Sequence, residues 1–171
     1  IVFAAGFMIK KPNRVEVVLE NPMKSIVLAN TNSAGEVNID KVIEQGVIDF
    51  NKDYINYILI GLGTNYLHKS ILGKNPVLEL VLGEQTWNSE IIKGMPSSSI
   101  GGNDNEDLRI IISKEEAVKA ILSSDIKQFM KDSVANGNTR IEMIAGKAEL
   151  FSKGYLEMYK QLTGEEIKVE G

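Results

Sequence analysis

The apolar positions of this chain change period several times, and each change marks an element. Between residues 38 and 66 they fall at Ile39, Ile43, Val47, Phe50, Tyr54, Ile58, Leu62 and Tyr66, spacings of three and four that keep one stripe on one helical face. Asn38 is a natural N-cap for that stripe. Gly46, Gly61 and Gly63 each cost about 1 kcal/mol of helix propensity relative to Ala, which predicts a break or a close helix contact. The stretch is therefore one long helix or two shorter ones. After Gly73 and Pro76 the period becomes two: Leu78, Leu80 and Leu82 oppose Glu79, Gly83-Glu84 turns, and Thr86 to Ile92 returns with Trp87 inward, a hairpin. Leu108 to Ile112 predicts a strand too apolar to be solvated on both faces, and Thr139 to Ala145 an alternating one, with Ile141 and Met143 opposite Arg140 and Glu142.

Helix signals separate these strands. Ser113-Lys114-Glu115-Glu116 reads as a capping box, the Ser113 hydroxyl accepting from the Glu116 amide and the Glu116 carboxylate reaching back, and it starts a helix through Leu122. Ser124 caps a second helix with Ile126, Phe129, Met130 and Val134 on one face, before a turn at Asn136-Gly137. After Gly146 a closing helix carries Phe151, Tyr155, Met158 and Leu162 on one stripe and stops at Gly164. Near the start, Val15–Leu19 and Ser25–Ala29 flank Asn21-Pro22-Met23-Lys24, which predicts a hairpin. Residues 94–107 hold Pro96, a run of serines, Gly101-Gly102 and a series of acidic and amide side chains, the composition of a mobile loop.

The length of 171 residues suits one well-filled core, so residues 1–171 are read as a single domain: an N-terminal extension with its hairpin over 1–35 and a core over 36–164. The net charge of −4, with 19 basic and 23 acidic residues interleaved, leaves no basic face to neutralise phosphates, and no nucleic-acid partner is expected. With no cysteine, a disulfide framework, a thiolate zinc site and a cysteine nucleophile are excluded. Residues 1–9 are apolar and end at Lys10-Lys11-Pro12; they are too few to span a bilayer, which takes about 20. They are expected to bury against the same domain, a second copy in a homodimer, or a membrane as an anchor remnant. The compartment expected is cytoplasmic, with membrane association in the last case.

Catalytic chemistry does not assemble. Gly61-Leu62-Gly63 lacks the third glycine of a dinucleotide fingerprint and follows a helical pattern rather than a strand. His68 is the only histidine and has no partners at metal-binding or triad spacing. Asn103-Asp104-Asn105-Glu106-Asp107 offers oxygens without the spacing or central glycine of a calcium loop, and Glu115-Glu116 sits where a helix dipole accounts for it. No enzyme activity, cofactor or metal is expected. What remains is apolar surface. Phe129, Met130, Met143, Phe151, Tyr155 and Met158 lie on faces that converge near the C-terminal end, where they either fill the core or line a cavity for an apolar ligand.

The order helix, hairpin, irregular loop, strand, two short helices, strand, final helix resembles the sterol-carrier-protein-like fold over about residues 54–163. The residues that carry the resemblance are Val77-Leu78-Glu79-Leu80-Val81-Leu82 with Thr86-Trp87, then Asp107-Leu108-Arg109-Ile110-Ile111-Ile112-Ser113-Lys114-Glu115-Glu116. Gly137-Asn138-Thr139-Arg140-Ile141-Glu142-Met143 and the helix Leu150–Leu162 complete it. The resemblance implies an α+β domain, a mainly antiparallel sheet of about five strands covered on one face by helices, here with an extra N-terminal hairpin. It also implies a hydrophobic tunnel holding a lipid, sterol or fatty acyl chain without chemistry. The alternative is a protein–protein interaction or assembly module, an accessory domain of a larger complex.

Overall fold

In the computed structural model, which describes residues 6–11 and 14–164, these periods resolve into strands and short helices. Strands β1 (Gly6–Lys11) and β2 (Arg14–Glu20) pair antiparallel as a separate two-stranded hairpin. The expected burial of residues 1–9 falls outside what is described, since residues 1–5 and the side chains of residues 7–9 are not among it. The expected strand at Ser25–Ala29 is instead helix α1 (Lys24–Ala29). Asn21 causes the difference: its carbonyl accepts from the Lys24 amide at 3.1 Å and its side-chain oxygen from the Met23 amide at 2.9 Å, which winds the chain into a helical turn. Its Nδ2 donates to the carbonyl of Ile121 at 2.8 Å and pins that turn to the core.

The long stripe divides into α2 (Ile39–Ile48) and α3 (Lys52–Gly61). Asn38 caps the first by accepting from the Lys41 amide. Asn51 makes the break, accepting from the Asp53 amide at 2.8 Å and donating to the Asp49 carbonyl at 2.9 Å. The expected close contacts are present, since a Cβ on Gly46 would lie 2.5 Å from Met23 Cε and one on Gly61 2.6 Å from Ile126 Cδ1.

A 3-10 turn (Thr64–Tyr66) and a loop lead to β3 (Val77–Leu82), β4 (Gln85–Ile92), β5 (Met95–Ile100) and β6 (Leu108–Ile112). Helices α4 (Lys114–Leu122) and α5 (Ile126–Ala135) precede β7 (Thr139–Met143), and α6 (Lys147–Lys153) and α7 (Tyr155–Thr163) close the chain. The five-stranded sheet has the order β5-β4-β3-β6-β7, antiparallel except for the parallel pair β3–β6. Leu78, Leu80, Leu82, Trp87, Ile91, Leu108, Ile110 and Ile112 share one face of it and form one buried cluster with Tyr54, Ile58, Ile121 and Met130 of the helices. On the other face Arg109 bridges Glu79 at 2.7 Å, Glu106, and Glu142 at 3.6 Å. The chain is α+β, a mainly antiparallel sheet packed against helices, as the sequence implies.

Residues 94–107 are not the expected mobile loop. Lys93 (φ 54°) and Gly94 (φ 81°) form a two-residue turn with both central residues left-handed, the turn that matches strand twist, and β5 folds back on β4. Serines hid this strand: Ser98 takes an inward position and hydrogen-bonds Ser89 at 2.7 Å and Asn56 of α3 at 2.6 Å. The chain then recrosses the charged face, where the Asn103 amide donates to Glu79 at 3.3 Å. Two helix starts also differ. Ser113 accepts from the Glu116 amide at 3.1 Å, but the Glu116 carboxylate takes the Ser133 hydroxyl at 2.7 Å, tying α4 to α5. Asp125 rather than Ser124 caps α5, accepting from the Gln128 amide at 3.0 Å, because a carboxylate one residue nearer the helix reaches the free amide. The closing helix breaks at Gly154 (φ 87°).

Candidate functional site

The helical stripes of α5 and α7 pack on one another, and this decides where the six C-terminal apolar residues end up. Met130, Tyr155 and Met158 are buried in the common core and Phe129 is partly buried against it. Met143, at the end of an edge strand, is 39% exposed, and Phe151, on the outer side of α6, is 66% exposed. The structure thus places three of the six in the core and two at the surface. None of the six lines the groove at the β2–α1–α3–β5 corner, the concavity beside the Leu82–Gln85 turn or the one between the polar sides of α5 and α7.

A groove of about 600 Å³ lies elsewhere, at the corner where β2, α1, α3 and the edge strand β5 meet. Its volume falls within the range of about 300–1,000 Å³ usual for small-molecule sites. Leu19, Leu28, Tyr57, Ile60, Met95 and Pro96 supply apolar wall, and Asn21, Ser25, Asp53 and Asn56 supply polar groups. Each element contributes through a feature already met. The turn at Asn21 brings α1 over the cleft, the Asn51 cap sets the start of α3, and the Lys93-Gly94 turn places Met95 and Pro96 opposite. Pro96 also withholds an amide from an edge strand, which discourages further strand pairing there.

The electrostatics of the groove are mild. Glu20 pairs with Lys24 at 2.6 Å, and that hydrogen bond holds the Glu20 carboxyl below its ordinary range. Burial pushes the Tyr57 phenol up, with the Asn21 hydrogen bond acting against it, so the hydroxyl stays protonated and polar without charge. Asp53 adds a negative charge to the rim, so the rim as a whole does not favour an anion.

The most buried ionisable cluster sits at the opposite kind of location, sealed between sheet and helix. Asp107, at the head of β6, accepts from Lys153 Nζ, from the Val77 amide at 2.7 Å and from the Tyr155 hydroxyl at 3.1 Å. Lys153 is 2% exposed and also reaches Glu149 at 3.0 Å, which holds the Glu149 carboxyl below its usual range. Burial, then the Asp107 charge, pushes the Tyr155 phenol far up. Asp107 and Lys153 are both buried and hold their partners on strand and helix, so the cluster ties strands to helices. His68 lies beside the same helix joint, its backbone amide donating to the Lys153 carbonyl at 3.2 Å and its ring Nδ1 3.1 Å from the Lys69 carbonyl. Among the described residues no group of His, Asp and Glu could hold a metal ion, and no helix is long and apolar enough to cross a membrane.

Neither a family model nor a curated protein matches the chain. Among solved structures, UbiJ-SCP2, a ubiquinone synthesis protein, superposes with a TM-score of 0.35 at 9% identity, covering 85% of this chain and 98% of that one. The sec-alkylsulfatase Pisa1 from Pseudomonas sp. superposes at a TM-score of 0.36 and 14% identity, covering 64% of this chain, and a double mutant of it at 0.39 and 14%, covering 68%. This chain spans only 16–17% of those sulfatase chains. Function is accordingly read from the residues of this chain alone.

Proposed function

We propose that this chain binds an apolar ligand, non-covalently, in the groove between α1, α3 and β5. The observation that carries the reading is the groove itself, of ligand size, with Leu19, Leu28, Ile60, Met95 and Pro96 as apolar walls and a few polar groups at one side. Ser25 is its one aliphatic hydroxyl and has no histidine beside it, since His68 sits at the α6–α7 joint, which supports carriage rather than catalysis. The rim of Glu20, Asp53 and Lys24 favours a neutral or hydrogen-bonding head over a free carboxylate, so sterols and long-chain alcohols fit better than fatty acids. The interior between sheet and helices, where the resemblance implies a tunnel, is occupied by the buried cluster of Trp87, Ile58, Ile110 and Met130.

Titration with a fluorescent sterol and a fluorescent fatty acid tests this. The sterol should bind more tightly, and Leu28→Glu, at an exposed position that leaves folding intact, should weaken it about tenfold. Met143→Ala and Phe151→Ala should leave binding unchanged. Absence of binding by the unmutated protein, or loss with Met143→Ala and not with Leu28→Glu, would overturn the proposal.

A further inference from the structure

Two adjacent apolar side chains, the most exposed among the residues whose burial is described, stand almost wholly in water: Ile71 is 95% and Leu72 86% exposed. They form the tip of a built turn rather than a slack loop. The Ser70 amide donates to the Lys74 carbonyl at 2.9 Å, the Gly73 amide to the Ser70 carbonyl at 2.9 Å, and the Lys74 amide to the Ser70 hydroxyl at 3.2 Å. Gly73 takes the left-handed conformation (φ 80°) that lets the chain reverse at once. The base of the turn is fixed as well, by the His68 amide on Lys153 and by the Asn75 side chain on Glu90 at 2.6 Å. Leaving two aliphatic side chains on so well held a projection forgoes burial that a polar pair would not, and so needs a partner.

We propose that this turn is a membrane-contacting tip, with Ile71 and Leu72 entering the acyl boundary of an anionic bilayer while Lys69 and Lys74 meet its headgroups. The charges fit that geometry: an exposed lysine stands on each side of the apolar pair, in the sequence Lys69-Ser70-Ile71-Leu72-Gly73-Lys74. The nearby acid Glu149 faces Lys74 and shares Lys153 with Asp107, so it offsets part of the Lys74 charge and leaves Lys69 as the less opposed cation. Size argues against a protein partner, because two side chains are a small part of the about 800 Å² that each side of a standard protein interface buries. A bilayer makes no such demand, since a rigid apolar tip with flanking cations suffices for reversible attachment. The inference stands on the turn and not on the groove, so each can fail alone.

Co-sedimentation of the full chain with phosphatidylcholine–phosphatidylglycerol vesicles and with pure phosphatidylcholine vesicles tests it, no ligand being added. Binding should need the anionic lipid and fall with salt, and Lys69→Glu with Lys74→Glu should weaken it roughly 30-fold or more. Ile71→Asp with Leu72→Asp should abolish it at an unchanged melting temperature, because neither side chain packs on the fold. Leu72→Trp should shift its emission to the blue on vesicles alone. No vesicle binding, binding indifferent to Ile71→Asp with Leu72→Asp, or a dimer lost with that variant while vesicles are ignored would each overturn the proposal.

Discussion

Replacing Asp107 by Asn should be among the most destabilising single-atom changes available in this protein. The carboxylate accepts from Lys153 Nζ, the Val77 amide and the Tyr155 hydroxyl, and both it and Lys153 are buried. Breaking a buried ion pair from one side costs about 3–5 kcal/mol, because the remaining charge stays desolvated. Here Lys153 keeps Glu149, whose side chain is partly exposed, so the lower part of that range is expected, about 3 kcal/mol. Lys153→Met should cost less, since Asp107 retains the Val77 and Tyr155 donors. Tyr155→Phe removes one hydrogen bond to a charged group, about 1.5 kcal/mol. Urea unfolding followed by the fluorescence of Trp87 measures all of these, and at a slope of about 2 kcal/mol/M the Asp107→Asn midpoint should fall by about 1.5 M. A cycle with Lys153→Met should show coupling of at least about 1 kcal/mol. If the two changes add, or if Asp107→Asn shifts the midpoint by less than about 0.3 M, the cluster is not what ties sheet to helices.

Gly46→Ala should destabilise by about 1–3 kcal/mol despite its better helix propensity, because the new methyl meets Met23 Cε and Val118; thermal unfolding checks the sign. The depressed Glu149 carboxyl stabilises the fold above the ordinary value of 4.5, and that contribution is lost as pH falls through its lower folded value. Stability measured against pH should accordingly flatten on its acid side in Glu149→Gln.

Strands and helices with a clear local signal were legible in the sequence: β3, β4 and β7 stand where alternation put them, β6 where its apolar run did, α4 behind its Ser113 cap and α5 where its stripe put it. β5 was not, because its inward positions hold Pro96 and Ser98, and a strand that bonds its neighbours through hydroxyls leaves no apolar alternation. α1 was misread because its run Ser25–Ala29 is as β-branched as a strand, and only the side chain of Asn21 decides between the two. The groove escaped notice for a different reason. Leu19, Leu28, Ile60 and Met95 come from separate elements, and no local pattern announces that their faces leave a space between them. The converse holds for the methionines and aromatics of α5 and α7, whose stripes spell an apolar face but not whether another helix already covers it.

The connection from Ile100 to Leu108 also sets an order of assembly. β3, β4 and β5 meet across two-residue turns, so this meander forms at small cost in chain entropy. β6 reaches β3 only after the chain has recrossed the meander, and it brings β7 and the intervening helices with it. The parallel β3–β6 pair is therefore the non-local seam of the sheet, the pairing that costs the most chain entropy to close. Asp107 spans that seam with backbone and side chain alike: its amide donates to the Val77 carbonyl, and its carboxylate accepts from the Val77 amide. Parting here would bare two apolar strand edges, the surfaces most ready to pair with another chain. A buried charge at the head of the seam works as a latch, keeping shut the one line along which the sheet could otherwise come apart into sticky halves.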